Sequence, residues 1–437
     1  MATTVFPPRS GAMEPTRRGI VAVLATLLAS WRYAGGRRDL RLDLLRGLAV
    51  VAMVTDHVGG QESWLYILTG GNHFWTSAAE GFIFISGLVM GIVYPAVIAR
   101  EGIGAAVKKA LRRAGTLYLL TVTLTLTTAA LAFRLGVQWA PQVAANALPD
   151  FVVGVLTLHR SYYLTDVLLL YTLVIFIAAG ALYLMATRRS WIVLAASWGL
   201  WSLWQFFPQQ ATLPWAITDN SVFNLSAWQL LFFNGLLIGF HRETLAAHFG
   251  WLTSRAALTV SGSLFAVSLA VYNDGMAPLV ALTGKDAAWL DAHVFSKSDQ
   301  QFGRIISFAI VAVFAVSFVT NCWQPLVRGL GWLLLPLGQS ALLAYGLHLF
   351  VIMLTTLAGP HLFCGGIFTA AQNAALQAGG ILLIWMVVTV RPWLVAFVGN
   401  GLTSCPPAAC ARAPVPSGTA RLSGGRAIDA QGRCRSR

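Results

Sequence analysis

A stretch that is otherwise apolar carries Asp43, Arg46, Asp56 and His57 between Arg37 and Gly60, RRDLRLDLLRGLAVVAMVTDHVGG. Eleven residues separate Arg46 from His57. At about 3.6 residues per turn this is close to three turns, or roughly 16 Å along one helix face. Asp43, Val50 and Val54 share that face. Ionisable groups at membrane depth are costly, face a bundle interior or a cavity, and mark functional paths. The plainer reading makes Asp43 and Arg46 an i,i+3 pair among the headgroups and lets Asp56 and His57 end the helix. Chemically, a hydroxyl must lose its proton as it attacks an acyl carbonyl, and an imidazole is suited to take it. His57 is therefore the candidate base. Asp56 points about 100° away around the helix, so Glu80, from the next span at the same depth, is the candidate to orient the imidazole. The alternative for Glu80 is a structural bond to Ser77 or a nearby backbone group, since buried carboxylates need partners.

The basic cluster Lys108, Lys109, Arg112 and Arg113 precedes the third span. Such a cluster is either a topology signal or a site for the phosphates of a coenzyme A thioester. On the second reading Lys109, Arg112 and Arg113 join Asp43 and Arg46 on the donor side. Asp166 opens the fourth span with Tyr171, Gln229 opens the sixth beside Asn224 and Trp228, and His348 lies midway in the ninth. These three complete the candidate substrate- and donor-binding set, although a lone histidine within a span also serves as a packed interhelical residue. Gly-x-Ser-x-Gly, P-loop and zinc-ligand pairs are absent from the sequence, so soluble hydrolase or nucleotidase chemistry has no support. The five cysteines, at 322, 364, 405, 410 and 434, form no disulfide framework and imply no metal.

The elements that must position these groups follow from composition. Of 437 residues 57% are hydrophobic and 11% charged, and the mean hydropathy is +0.68. This predicts an all-α, polytopic membrane bundle. Spans are expected at about 42–60, 76–98, 114–133, 163–186, 190–207, 225–240, 256–272, 304–322, 338–358 and 374–398, ten in all, as one domain over 41–398. Residues 151–158 are half a span and read as a re-entrant piece. Gly87 and Gly91 give the second span a small-xxx-small face for close packing. The loop 273–303 is assigned no chemistry. Residues 1–40 read as a basic, partly disordered extension whose run Gly19 to Trp31 is short for a span, and 399–437 as a disordered basic tail. A net charge of +14 suggests nucleic acid until its placement is considered. With the amino terminus inside, 24 of the 30 Lys and Arg fall in cytoplasmic segments and five in outer ones, with Arg46 inside the first span. The charge therefore reports topology, with both termini cytoplasmic, and no polyanion partner.

Several separated motifs bear a resemblance. RDLRLDLLRGLA with DHVGG, SAAEGFIFISGLVMGIVY (77–94), LTDVLLLYTL (164–173), AWQLLFFNGLLIG (227–239) and LPLGQSALLAYGLHLF (335–350) follow one another in the order found in the OpgC family. The chain thus resembles membrane succinyltransferases that decorate osmoregulated periplasmic glucans, over about 41–398. Arg46, Gly47 and His57 are similar to the Arg-Gly and histidine of the wider type-three acyltransferases, where that histidine is required for transfer. In that group an Arg-x-x-Arg pair before the third span is implicated in acyl-CoA use. Here Arg113 takes the second place, while Ala110 stands in the first with Lys109 beside it. The resemblance implies an O-acyltransferase of the bacterial inner membrane, with no bound cofactor and acyl-CoA as co-substrate. Its donor would be cytoplasmic and its acceptor a hydroxyl on an extracytoplasmic glycan. Competing classes are a transporter or flippase of a glycan or lipid-linked precursor, and a membrane scaffold. The halves of the chain show no repeat of the kind transporters often carry.

Overall fold

The computed structural model describes residues 29–403, apart from 37, 61, 73, 138–142, 163 and 364–367. Most of the extension, including nearly all of the run 19–31, and the tail beyond 403 lie outside the described residues. Residues 1–391 form one compact unit and 392–437 another. Every residue of the site belongs to the first.

Among the described residues the structure is helical without a strand. The long elements are α1 (Leu40–His57), α2 (Ala78–Glu101), α3 (Ile103–Leu135), the short α4 (Leu148–Leu156), α5 (Asp166–Ala186), α6 (Ser190–Phe206), α7 (Leu225–Phe240), α8 (Arg255–Asn273), α9 (Phe302–Asn321), α10 (Trp323–Gln339), α11 (Ala341–Phe363) and α12 (Ala370–Thr403). Seven of them, α2, α3, α5, α8, α9, α11 and α12, hold a stretch long and apolar enough to cross a bilayer. α1 is not among the seven because Arg41, Asp43, Arg46 and Asp56 interrupt it, and α6, α7 and α10 are shorter, at 17, 16 and 17 residues. Exposed Leu119, Phe133, Phe176, Val260 and Val267 face outward from these helices, where lipid would cover them.

Two departures from expectation have local causes. α3 runs 33 residues from Ile103, so the basic cluster is not a loop before a span but the first turns of the same helix. The break falls earlier, at Gly102, whose φ of +86° a helix cannot continue. α10 occupies a segment where Pro325 and Pro336 suggest interruption. Pro325 sits in the first turn, where no intrahelical N–H bond is lost. Pro336 removes the N–H that would bond the Trp332 carbonyl, and Trp385 of α12 donates to that carbonyl instead, Nε1 to O at 2.8 Å.

Glycines set how closely the helices approach. Gly47 of α1 lies against the Leu334 carbonyl of α10, and Gly338 of α10 lies against the Asp43 carbonyl of α1. A Cβ at either would overlap backbone. Gly87 and Gly91 of α2 meet Phe232, Leu236 and Gly239 of α7, and Gly235 and Gly239 return the contact to Phe84 and Leu88. This is the close packing the spacing predicts. Buried hydroxyls tie α3 to α5: Thr121 to Thr172 at 3.2 Å and Thr125 to Thr165 at 3.0 Å.

Candidate active site

His57 is the last residue of α1, and the last helix holds it in place. Gln377 of α12, fully buried, donates through Nε2 to the carbonyls of Thr55 and Val58, both at 2.9 Å. Two residues on, Gly60 N–H donates to Asn373 Oδ1 at 2.8 Å, while Asn373 Nδ2 donates to the Glu62 carbonyl at 2.7 Å. The glycine pair of DHVGG makes this possible. Gly59 adopts a φ of +88°, and a Cβ on Gly60 would stand 2.9 Å from Asn373 Nδ2. The frayed end of α1 is thus replaced by a clamp to a residue more than 300 positions away.

A cavity of about 810 Å³ runs beside α1. Its lining includes Arg46, Arg113, Ser86, Tyr171, Gln339 and Arg391 together with Asp56, His57, Asp166 and Lys297, and with leucines and Phe82; α1 sets Arg46 and His57 about three turns apart along it. Arg46 and Arg113 lie in each other's field. The Tyr171 hydroxyl beside them is 3.2 Å from Ser86 Oγ. The imidazole of His57 is backed by that of His348, ring centroids 5.5 Å apart. His348 Nδ1 is bonded to the Tyr345 carbonyl, and the Tyr345 hydroxyl to the Leu164 carbonyl. Three buried atoms here have no hydrogen-bond partner: Asp56 Oδ1, His57 Nδ1 and His348 Nε2.

Lys297 enters the cavity from the loop before α9, the region in which the sequence suggests no chemistry. Burial pushes its ammonium below the ordinary value, against the opposing fields of Glu80, Asp56 and Asp166. The loop is pinned from two sides. Trp201 Nε1 donates to the Gln300 carbonyl at 2.9 Å and Trp204 Nε1 to Asp299 Oδ1 at 3.1 Å, both from α6. From the other side Gln300 Nε2 reaches Glu80 Oε1 at 3.3 Å.

This gives Glu80 a different place from that of an orienting group for His57. Its carboxylate is fully buried, paired with Arg304 Nε of α9 at 2.6 Å. Ser77 donates to it twice, from N–H at 3.0 Å and from Oγ at 2.6 Å. With its oxygens engaged in this way, Glu80 caps α2 and anchors the Lys297 loop, and its hydrogen bonds go to these partners rather than to His57. The cause is the capping box itself, which turns the side chain back onto its own helix start.

The remaining candidates divide in the same manner. Arg46, Arg113 and Asp166 line the cavity, and His348 stands behind His57. Asp43, though buried, is paired with Arg38 at 2.7 Å in the first turn of α1 and is not part of the lining. Gln229 joins α7 to α6, accepting from Ser197 Oγ and donating to the Ser197 carbonyl, both at 2.8 Å. Lys109 and Arg112 are exposed, whereas Ala110 is packed in the core, where an arginine would find no room. Of the basic cluster, Arg113 alone reaches the cavity. Lys297, Arg391, Asn373 and Gln377 were not legible as site residues, since each is a single polar residue without a motif spacing. Asp56 was legible only as a neighbour of His57. Among the described residues no cluster of three or more His, Cys, Asp or Glu is placed to hold a metal ion.

The arrangement puts a proton acceptor, carboxylates, cations and apolar side chains in the lining of one cavity. Compared with known proteins, residues 38–396 match a family model described as OpgC protein. No curated protein and no solved structure matches the chain.

Proposed function

The chain belongs to the OpgC family, and from that premise we propose that this multi-pass membrane protein is an O-acyltransferase. It moves an acyl group, succinyl by family resemblance, from acyl-CoA to a hydroxyl of a glycan. The donor enters at the Arg46 and Arg113 end, which faces the cytoplasm together with both termini, and the acceptor meets His57 at the outer face of a bacterial inner membrane.

His57 takes the hydroxyl proton as the acceptor oxygen attacks the thioester carbonyl. The tetrahedral adduct then collapses with cleavage of the C–S bond. The ester stays on the glycan, and the departing thiolate recovers the proton from the imidazolium, leaving His57 as it began. Arg46 and Arg113 are suited to the donor phosphates, for which fixed cations are the usual partners. The apolar part of the lining excludes water that would hydrolyse the thioester. Lys297, beside Asp56 and Asp166, supplies a cation where an acyl carboxylate or a developing oxyanion would sit.

The observation that carries this reading is the single cavity that joins the Arg46 end of α1 to the His57 end. The test is mass spectrometry of cell-envelope glycans from cells with and without the protein. Glycans one succinyl group heavier when it is present are the expected result. Unchanged glycan masses would overturn the acyl-transfer reading in favour of transport.

A further inference from the structure

Behind the proposed base stands a second imidazole. The ring of His348 is fully buried, tilted 32° to that of His57, with centroids 5.5 Å apart. Its Nδ1 bonds the Tyr345 carbonyl. A carbonyl only accepts, so that nitrogen carries the hydrogen and Nε2 is left as a bare lone pair. Nε2 is buried and unpartnered, as is His57 Nδ1. The two rings are neighbours and are not bonded to each other as they stand; one unmatched atom is a forced acceptor, and the other complements it if it is a donor and a ring turns to meet it. Burial makes leaving both unsatisfied costly.

From this geometry we infer that His348 is a positioning residue that accepts a hydrogen bond from His57 Nδ1–H. This holds His57 in the tautomer whose Nε2 lone pair faces the cavity. The inference rests on His57 being the base. The chain of bonds begins at the Tyr345 carbonyl, which sets the His348 tautomer, and His348 in turn sets that of His57. A neutral imidazole thereby does what a carboxylate does behind other catalytic histidines: it fixes which nitrogen is free to take a proton. It adds no charge to a site that already holds Asp56 and Asp166. Tyr345 is itself held through its hydroxyl by the Leu164 carbonyl, so the relay is anchored to the backbone just ahead of α5.

The experiment uses the full-length protein in lipid nanodiscs, labelled with 15N-histidine. It has eight histidines, and the His57 signals are those lost in His57→Gln. The ring-nitrogen shifts should show His57 protonated at Nδ1 and bare at Nε2. His348→Leu should move His57 toward the Nε2–H form or a mixture, and His348→Gln, which restores an acceptor, should return it. Transfer from succinyl-CoA to glucan oligosaccharides should follow. Leu lowers kcat by roughly tenfold to a hundredfold, part of what a positioned base supplies, with KM for the donor unchanged, and Gln recovers part of that loss. A His57 that is bare at Nδ1 in the unaltered protein, or whose tautomer ignores His348→Leu in a protein that still folds, overturns the inference. The spectroscopic result is independent of transfer, so a correct tautomer response in a protein that transfers nothing would instead count against the enzymatic reading.

Discussion

The Glu80 carboxylate and the His57 imidazole, both buried, are held by opposite rules. Around Glu80 both carboxylate oxygens are taken, by Arg304, Gln300 and two donors from Ser77, while Arg304 Nη2 and Gln300 Oε1 on its partners stay unmatched. Around His57 the reverse holds: Asp56 Oδ1, His57 Nδ1 and His348 Nε2 are buried without partners. A carboxylate bonded in this way stores its value in the fold, and removing it strands the arginine. Unmatched buried atoms cost stability, and proteins keep them chiefly where they act. The comparison therefore separates two roles for residues that look alike in the sequence, each a single ionisable group in an apolar span.

The sharpest way to break this contrast is Glu80→Ala, which leaves Arg304 buried without its counter-charge. A loss of about 3–5 kcal/mol is expected, seen as a lower thermal midpoint and a smaller folded yield in detergent. An unchanged midpoint would mean the pair is not structural. His57→Ala should behave in the opposite way. Transfer falls by roughly 10²- to 10⁴-fold while stability falls by no more than about 1 kcal/mol, because at most the one bond to His348 is lost. If unfolding shifts as far as in Glu80→Ala, His57 belongs to the structural set. Gly338→Ala tests the frame on which both depend. Its Cβ would overlap the Asp43 carbonyl, and overpacking of this kind costs about 1–3 kcal/mol, so stability and transfer should decline together. The smallest effect distinguishes within the basic cluster. Arg113→Gln should raise KM for the acyl-CoA donor, whereas Lys109→Gln with Arg112→Gln should leave that KM alone and move stability by no more than about 0.5 kcal/mol, as exposed substitutions do. Equal KM effects from the two variants would remove Arg113 from its special place.

The span boundaries around Leu225–Phe240 and Phe302–Asn321 were legible because apolar length and helical period are local properties. So was the glycine face of α2, since Gly87 and Gly91 repeat on one side whatever the neighbour is. α10 was not, because whether Pro336 breaks a helix depended on Trp385, 49 positions later, being there to take the freed carbonyl. Glu80 was legible as a buried carboxylate in need of a partner, but the partner, Arg304, lies 224 residues away.

By itself, then, the sequence determined a helical membrane protein, the three turns between Arg46 and His57 on one face, and the cations that share a segment with Arg113. Those follow from covalent geometry and composition, which act over a few residues. Only the tertiary structure decided that Arg113 and not Lys109 reaches the cavity, that Lys297 enters it, and that Gln377 clamps the end of α1. Pairing and burial are settled by contacts between segments hundreds of residues apart, and no local spacing records which polar group will be met and which left open.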